Sequence, residues 1–296
     1  MELLFGRKHH WWPKGLAKGW CNDTGKISSI RCDGKPSKPR SPKSIGYIED
    51  GHNLLRGALW NSSFEPIYQY ADDRFPALLQ WASTLPHTGR ISAVELYGEM
   101  RVTLARCIAS LVARSPSTRN IAKIGAEYYQ RRFGVSKPHA DNNLIAANIR
   151  GLYASYADAL ERWGKFVFLF AGSGEFIFGD GFLHDFPHVA MHQSNMRCLL
   201  PLSPSIAVLW VKQAQYRINP VAMTMNLTDH EVEIFNKMIQ VYSKDRVYYR
   251  SIAPKIDACF SEAEHKIWCN EKGEHHQQVV DDLIEEMLRF RGKSDH

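Results

Sequence analysis

The chain has 296 residues, of which 44% are hydrophobic and 23% charged, and its formal net charge is +6. This composition indicates a globular protein with a sizeable core and excludes collagen-like, coiled-coil and disordered chains. Six scattered cysteines do not form a disulfide framework, so we expect reduced thiols in a cytoplasmic protein. No apolar run approaches the ~20 residues of a membrane-spanning helix, so we expect no membrane partner.

The excess positive charge lies at one end of the chain. Residues 1–45 carry ten basic and three acidic side chains, whereas the rest of the chain is nearly neutral, and the segment from residue 257 onward is acidic. Such an asymmetry is typical of proteins with an anionic partner, nucleic acid among them. The same asymmetry is explained by a solvated charged segment, or by a basic segment that lies against an acidic one in the same fold. These two structural explanations are together more common than an anionic partner.

The first third of the chain predicts a small β structure. The aromatic residues of segment 9–20 favour burial, and residues 26–32 predict a short strand whose partner is expected at 44–48. Between them, segment 35–43 has three prolines among basic residues, which predicts an exposed, extended connection.

The rest of the chain predicts helices followed by a sheet. A capping-box pattern at Ser92 and Glu95 precedes a helical stripe, and further helices are predicted at 119–133 and 142–163. Apolar runs without alternation predict buried strands at 165–170, 175–178, 198–202 and 206–211. A capping box at Thr228 and Glu231 then opens another helix.

We therefore predict an α+β fold with a mixed sheet, a central helical layer and a helical C-terminus. Residues 1–252 are expected to form a single α+β domain, with 253–296 as a helical extension packed on it.

Several motifs together resemble one known family. They are the His10-Trp-Trp-Pro13 start followed by Trp20, the strand 176–180 that ends in an aspartate, the Leu-Pro-Leu-Ser-Pro segment 200–204, and the Asn236 helix with the aromatic strand behind it. In this order they resemble the bacterial family named domain of unknown function 4238, over nearly the whole chain to about residue 251. Since that family has no established activity, the resemblance implies an organisation of the chain and no chemistry.

Three motif residues are the candidates for catalysis: His10, Asp180 and Asn236. If they converge, a His–Asp pair could transfer protons, or the set could hold a divalent ion with Asn236 as a neutral ligand. The structural alternative is that Asp180 caps a turn, His10 binds a carbonyl group and Asn236 joins a helix to the sheet.

Metal binding is weakly indicated, and no metal site is predicted. His184, His188 and His192 have helical spacing, but Pro187 interrupts a helix through all three, so their affinity for metal stays open. A second set, Cys259, His265, Cys269 and His275, lacks the closely spaced cysteine pairs of zinc sites.

The basic N-terminal segment supplies the candidate nucleic-acid contacts. They are Lys14, Lys18, Lys35, Lys38, Arg40 and Lys43. The first hypothesis is a protein that binds or processes nucleic acid. The alternatives are a metal-dependent or acid–base hydrolase and a non-catalytic interaction module, and the sequence leaves open whether the protein is an enzyme and which cofactor it uses.

Overall fold

The structure is a computed structural model. It describes residues 7–56, 59–134, 140–186, 196–212, 219–266 and 274–290. The helices are α1 (Lys14–Ala17), α2 (Gln69–Ser83), α3 (Gly98–Arg114), α4 (Pro116–Phe133), α5 (Ala140–Arg162), α6 (Asp229–Tyr242), α7 (Ala258–Ser261) and α8 (Glu274–Arg289).

The strands are β1 (Lys8–His10), β2 (Ile27–Arg31), β3 (Pro36–Arg40), β4 (Tyr47–Glu49), β5 (Asn53–Arg56), β6 (Leu59–Ser63), β7 (Ile91–Val94), β8 (Lys165–Ala171), β9 (Phe178–Gly179), β10 (Leu183–His184), β11 (Met196–Pro201), β12 (Ile206–Lys212), β13 (Ala222–Leu227) and β14 (Arg246–Tyr249).

The main sheet has six strands in the order β10-β11-β12-β8-β13-β7. It is mixed, because β8 and β13 run parallel whereas the other neighbours are antiparallel. Alternate residues of β8 enter two different cores: Phe166 and Phe168 face one layer, and Val167 and Leu169 face the other. The sheet is therefore buried on both faces, as its apolar runs predict.

Helices α2, α3 and α5 cover one face of this sheet and form the predicted helical layer. Leu104, Ile108 and Leu111 of α3 are fully buried in the same core as Phe166 and Trp210 of the sheet. The capping box expected at Ser92 is wrong, because Ser92 lies in β7, paired with Thr224, and α3 begins only at Gly98. Within the described residues, none of the helices combines the length and hydrophobicity needed to span a bilayer.

Helices α6 and α8 cover the other face. Phe235 and Met238 of α6 and Ile284 and Met287 of α8 share a core with the sheet. The capping box at Thr228 is confirmed, since its hydroxyl accepts a hydrogen bond from the Glu231 amide and the Glu231 carboxylate accepts one from the Thr228 amide. The α+β class with its mixed sheet, helical layer and C-terminal helix is thereby confirmed.

A smaller sheet, in the order β3-β2-β14-β9, carries the proline-rich segment. The segment is extended and mostly exposed as expected, but it is an edge strand paired with β2 and not a connection. The prediction that 44–48 pairs with the strand at 26–32 is also wrong, since the strand in this region, β4, pairs with β1. An edge strand tolerates proline, because the missing amide donor can lie on the side that has no neighbouring strand, or where the register is irregular.

Candidate functional site

Asp180 follows β9 and is buried, and its carboxylate closes the turn between α6 and β14. One oxygen accepts a hydrogen bond from the amide of Lys244 at 2.8 Å, and the other accepts one from the amide of Asp245 at 3.0 Å. Its carbonyl oxygen accepts a further bond from the amide of Ser117 at 3.2 Å, in the first turn of α4. Asp180 thus joins the small sheet, α4 and the end of α6 at one point.

Asn236 joins helix α6 to the segment that leads into β9. Its amide oxygen accepts a hydrogen bond from the amide of Ile177 at 3.0 Å, and its amide nitrogen donates one to the carbonyl of Glu175 at 2.8 Å. Both ends of the side chain therefore bind backbone, so Asn236 joins the helix to the sheet, as in the structural alternative to a catalytic role.

His10 ends β1 in a buried position close to Tyr47, with a distance of 5.8 Å between the two ring centroids. Burial, reinforced by nearby Lys14, lowers the pKa of His10 to about 4, so the imidazole is neutral at pH 7. Neither ring nitrogen has a hydrogen-bond partner among the described residues, whereas the backbone carbonyl accepts a bond from Arg114 at 3.2 Å.

The histidine that contacts Asp180 is His265. Its Nε2 atom lies 3.7 Å from a carboxylate oxygen of Asp180, and both side chains are almost completely buried. Neither ring nitrogen of His265 has a hydrogen-bond partner among the residues that the structure describes. The catalytic assignment of His10, Asp180 and Asn236 stays a prediction, and the structure adds His265 to the neighbourhood of Asp180.

The aromatic residues at the N-terminus anchor it to the same region. Trp12 stacks on Phe178 of β9 with ring centroids 4.2 Å apart, and the Trp20 indole donates a hydrogen bond to the carbonyl of Phe176 at 3.1 Å. Trp11 is buried as well. The expected burial of these tryptophans is confirmed, and Trp12 and Trp20 have no exposed ring surface on which a base could stack.

Two adjoining pockets flank the Asp180 region. The first, here called the strand pocket, has a volume of about 390 Å³, and its polar lining consists mainly of Arg40, Arg246, Asp180 and Asp245. The second, here called the α4 pocket, has a volume of about 460 Å³. Its titratable lining residues are Arg119, Lys123, Glu127, Lys244 and His265.

Ile48 and Pro116 line both pockets and form the boundary between them. Asp180 lies in the wall of the strand pocket and His265 in the wall of the α4 pocket, so the two side chains contact each other between the pockets. Five cationic side chains, from β3, β14, α4 and the turn after α6, lie around this boundary.

The predicted nucleic-acid contacts Lys14, Lys18, Lys35, Lys38, Arg40 and Lys43 are all exposed. Lys35 lies 3.6 Å from Asp33, and none of the other five has a carboxylate within 4 Å among the described residues. Of these six residues, only Arg40 lines one of the two pockets.

The acidic C-terminal helix does not neutralise this basic segment. Asp281 of α8 pairs with Arg197, and Glu286 pairs with Arg90 at 2.9 Å. Both partners lie beside the main sheet, in or next to its strands. The described ion pairs therefore do not support the interpretation in which the two charged ends lie against each other.

The metal-ligand candidates are only partly described. His184 is a buried residue of strand β10 and does not lie on a helix, and His188, His192 and Cys269 lie outside the described residues. In the described ranges, no group of three or more His, Cys, Asp or Glu side chains has a geometry that could hold a metal ion.

Comparison with known proteins found no matching family model, no matching curated protein and no matching solved structure. The resemblance to domain of unknown function 4238 therefore rests on the motifs alone, and these motif residues contact one another in this fold. His265, Arg119 and Lys244 lie outside those motifs. In the sequence, His265 belongs only to the second set of metal-ligand candidates, and no local pattern relates it to Arg119 or Lys244, since the three residues come from a coil, a helix and a turn that are far apart in the chain.

Proposed function

We propose that this protein binds nucleic acid along the exposed basic edge of the small sheet. The observation that carries the proposal is the set of exposed cations on and beside the edge strand β3, which have no carboxylate partner among the described residues. Lys38 and Arg40 belong to this strand, and Lys43 follows it directly.

The geometry of β3 supports contacts to more than one phosphate. Lys38 and Arg40 are two residues apart on one extended strand, so their backbone positions are separated by about 7 Å. Arg40 continues this row of charge into the strand pocket, where Arg246 lies. A row of cations beside a groove is the electrostatic feature expected for a polyanion that follows the surface.

Unpaired exposed cations also favour a polyanion over a single acidic group. Each cation that meets a phosphate releases condensed counterions, so affinity rises with the number of contacts and falls steeply with salt. The phosphate backbone of a nucleic acid provides such repeated contacts, whereas an isolated carboxylate ligand would contact only one or two of these side chains.

The test measures binding of single- and double-stranded RNA and DNA by electrophoretic mobility shift over a range of salt concentrations. We expect binding at low salt that weakens as salt increases. Replacing Lys38, Arg40 and Lys43 together by alanine should weaken binding and reduce the slope of log affinity against log salt by about 2 to 3, because up to three phosphate contacts are lost.

The matched control removes two cations from helices outside this edge, Lys237 of α6 and Arg289 of α8, each of which pairs with a glutamate on its own helix. This double alanine variant should keep the binding and salt slope of the unmodified protein. Absence of binding to every nucleic acid at low salt, or equal losses in both variants, would refute the proposal.

A further inference from the structure

The α4 pocket contains a partly buried arginine without an acidic partner. Arg119 donates a hydrogen bond to the carbonyl of Gly51 at 2.7 Å, and no carboxylate of the described residues lies within ion-pair distance of its guanidinium group. Burial lowers the pKa of Arg119 below its usual value. Removing a guanidinium from water is costly unless an anion compensates for it, so this arrangement favours an anionic ligand.

His265 is the second, independent sign of a ligand. Its side chain is only 5% exposed, it lines the α4 pocket, and both ring nitrogens lack a hydrogen-bond partner among the described residues. Buried polar atoms normally have hydrogen-bond partners, so an imidazole without a hydrogen bond in the wall of a pocket indicates that a polar group occupies this space.

The remaining charges make the pocket strongly cationic. Lys123 and Lys244 line it together with Arg119, and among the described residues of its lining Glu127 is the only acidic one. Glu127 lies 3.7 Å from Lys123 and compensates for one positive charge. Arg119 and Lys244 then leave an excess of two positive charges among these side chains.

From these observations we infer that the α4 pocket binds a phosphomonoester group, which carries close to two negative charges at pH 7. An internal phosphodiester carries only one. Arg119 would provide directional hydrogen bonds, Lys244 and Lys123 would provide charge, and His265 would provide a further donor from the inner wall. Asp180, in contact with His265, is a positioning residue in this site.

The phosphomonoester could be the terminal phosphate of a nucleic-acid strand or the phosphate of a small molecule. The first source rests on the proposed function, since the α4 pocket shares a boundary with the strand pocket that Arg40 enters. A strand bound along β3 could then end in the α4 pocket.

The experiment compares three probes by fluorescence polarisation and competition. They are a single-stranded oligonucleotide with a 5′-phosphate, the same oligonucleotide with a 3′-phosphate, and the same oligonucleotide with hydroxyl groups at both ends. Phenyl phosphate is added as a small competitor, and its own binding is also measured directly by isothermal titration calorimetry. We expect one phosphorylated end to bind about tenfold more tightly than the hydroxyl form, as one additional set of charge-assisted hydrogen bonds implies.

Two variants connect this preference to the pocket. Arg119→Met keeps the length of the side chain and removes the charge, and His265→Gln keeps polarity and removes the imidazole. Both should reduce the tenfold preference to nearly none while affinity for the hydroxyl form changes little. Lys237→Met, on α6, is the control and should retain the full preference.

The outcomes separate this inference from the proposed function. Equal binding of all three oligonucleotides, without competition by phenyl phosphate, overturns the phosphomonoester site and leaves nucleic-acid binding in place. Binding of phenyl phosphate that depends on Arg119, without binding of any oligonucleotide, supports the site with a small molecule as its source and contradicts the proposed function. A preference that persists in Arg119→Met also overturns the site.

Discussion

Arg114 and Arg119 lie on either side of the junction between α3 and α4, yet their environments are opposite. Arg114 is completely buried and forms two hydrogen bonds with the carboxylate of Asp72, one of them at 3.2 Å. Burial alone would lower its pKa, but the Asp72 carboxylate outweighs this effect and the pKa is raised. Arg119 has a carbonyl partner and no carboxylate among the described residues, and burial lowers its pKa.

The comparison distinguishes a charge that serves the fold from a charge that serves a ligand. The Arg114–Asp72 pair is compensated inside the protein, where it also holds the carbonyl of His10, so the fold itself accounts for its cost. The positive charge of Arg119 faces a pocket and is compensated only when an anion enters. Three measurements on stability sharpen this contrast.

The largest effect is expected at the paired arginine. Asp72→Ala leaves the Arg114 charge buried without a partner, which we expect to lower the free energy of unfolding by about 3 kcal/mol in urea denaturation. Asp73→Ala is the matched control, because Asp73 is exposed on the same helix and its carboxylate accepts a hydrogen bond from the side chain of Gln69. Similar losses in both variants would contradict a structural role specific to Asp72.

A smaller effect concerns pH and the histidine beside the paired arginine. The pKa of His10 is about 4 in the folded protein and about 6.5 when unfolded, so the unfolded chain binds more protons between these values. Stability is therefore fully present above pH 6.5 and decreases as the pH falls towards 4. After allowance for solvent screening, the expected loss from His10 is about 1 to 2 kcal/mol.

This contribution is measured as a difference. Urea denaturation at pH 7 and pH 4.5 is carried out on the unmodified protein and on His10→Asn, and the unmodified protein should lose more stability between the two pH values. An identical pH dependence in the two proteins would show that His10 is not held neutral by burial.

The smallest effect is expected at the unpaired arginine. Arg119→Met removes one hydrogen bond to Gly51 but also removes a poorly compensated charge, so the free energy of unfolding should change by less than about 1 kcal/mol. The measurement is urea denaturation in a phosphate-free buffer. A loss as large as that of Asp72→Ala would place Arg119 among the residues that hold the fold and would erase the contrast.

The local patterns of the chain predict its strongest elements and miss those whose sequences are ambiguous. Strands β8 and β12 are readily predicted because they are uninterrupted apolar runs, and α6 because its capping box and apolar stripe agree. Strand β13, with the sequence Ala-Met-Thr-Met-Asn-Leu, alternates apolar and polar residues but is poor in β-branched and aromatic residues, and its place beside β8 depends on long-range contacts.

The candidate site shows the same division. Asp180 and Asn236 stand at recognisable motif positions, and their hydrogen bonds to backbone fit the capping and joining roles that such residues commonly have. His265 stands at no such motif position. Its place in the site depends on the contact with the carboxylate of Asp180, which comes from the end of a distant strand. The contrast between Arg114 and Arg119 is equally invisible before folding, since both belong to ordinary amphipathic helices.

The α+β class, the buried sheet, the helical layer and the unequal distribution of charge can be predicted before folding is considered, because they follow from composition and from periodicities that span a few residues. Which cation has an acid beside it, which histidine contacts Asp180 and where the pockets form are established by folding. These properties depend on burial and on distances between remote parts of the chain, and both come into existence only when the layers pack.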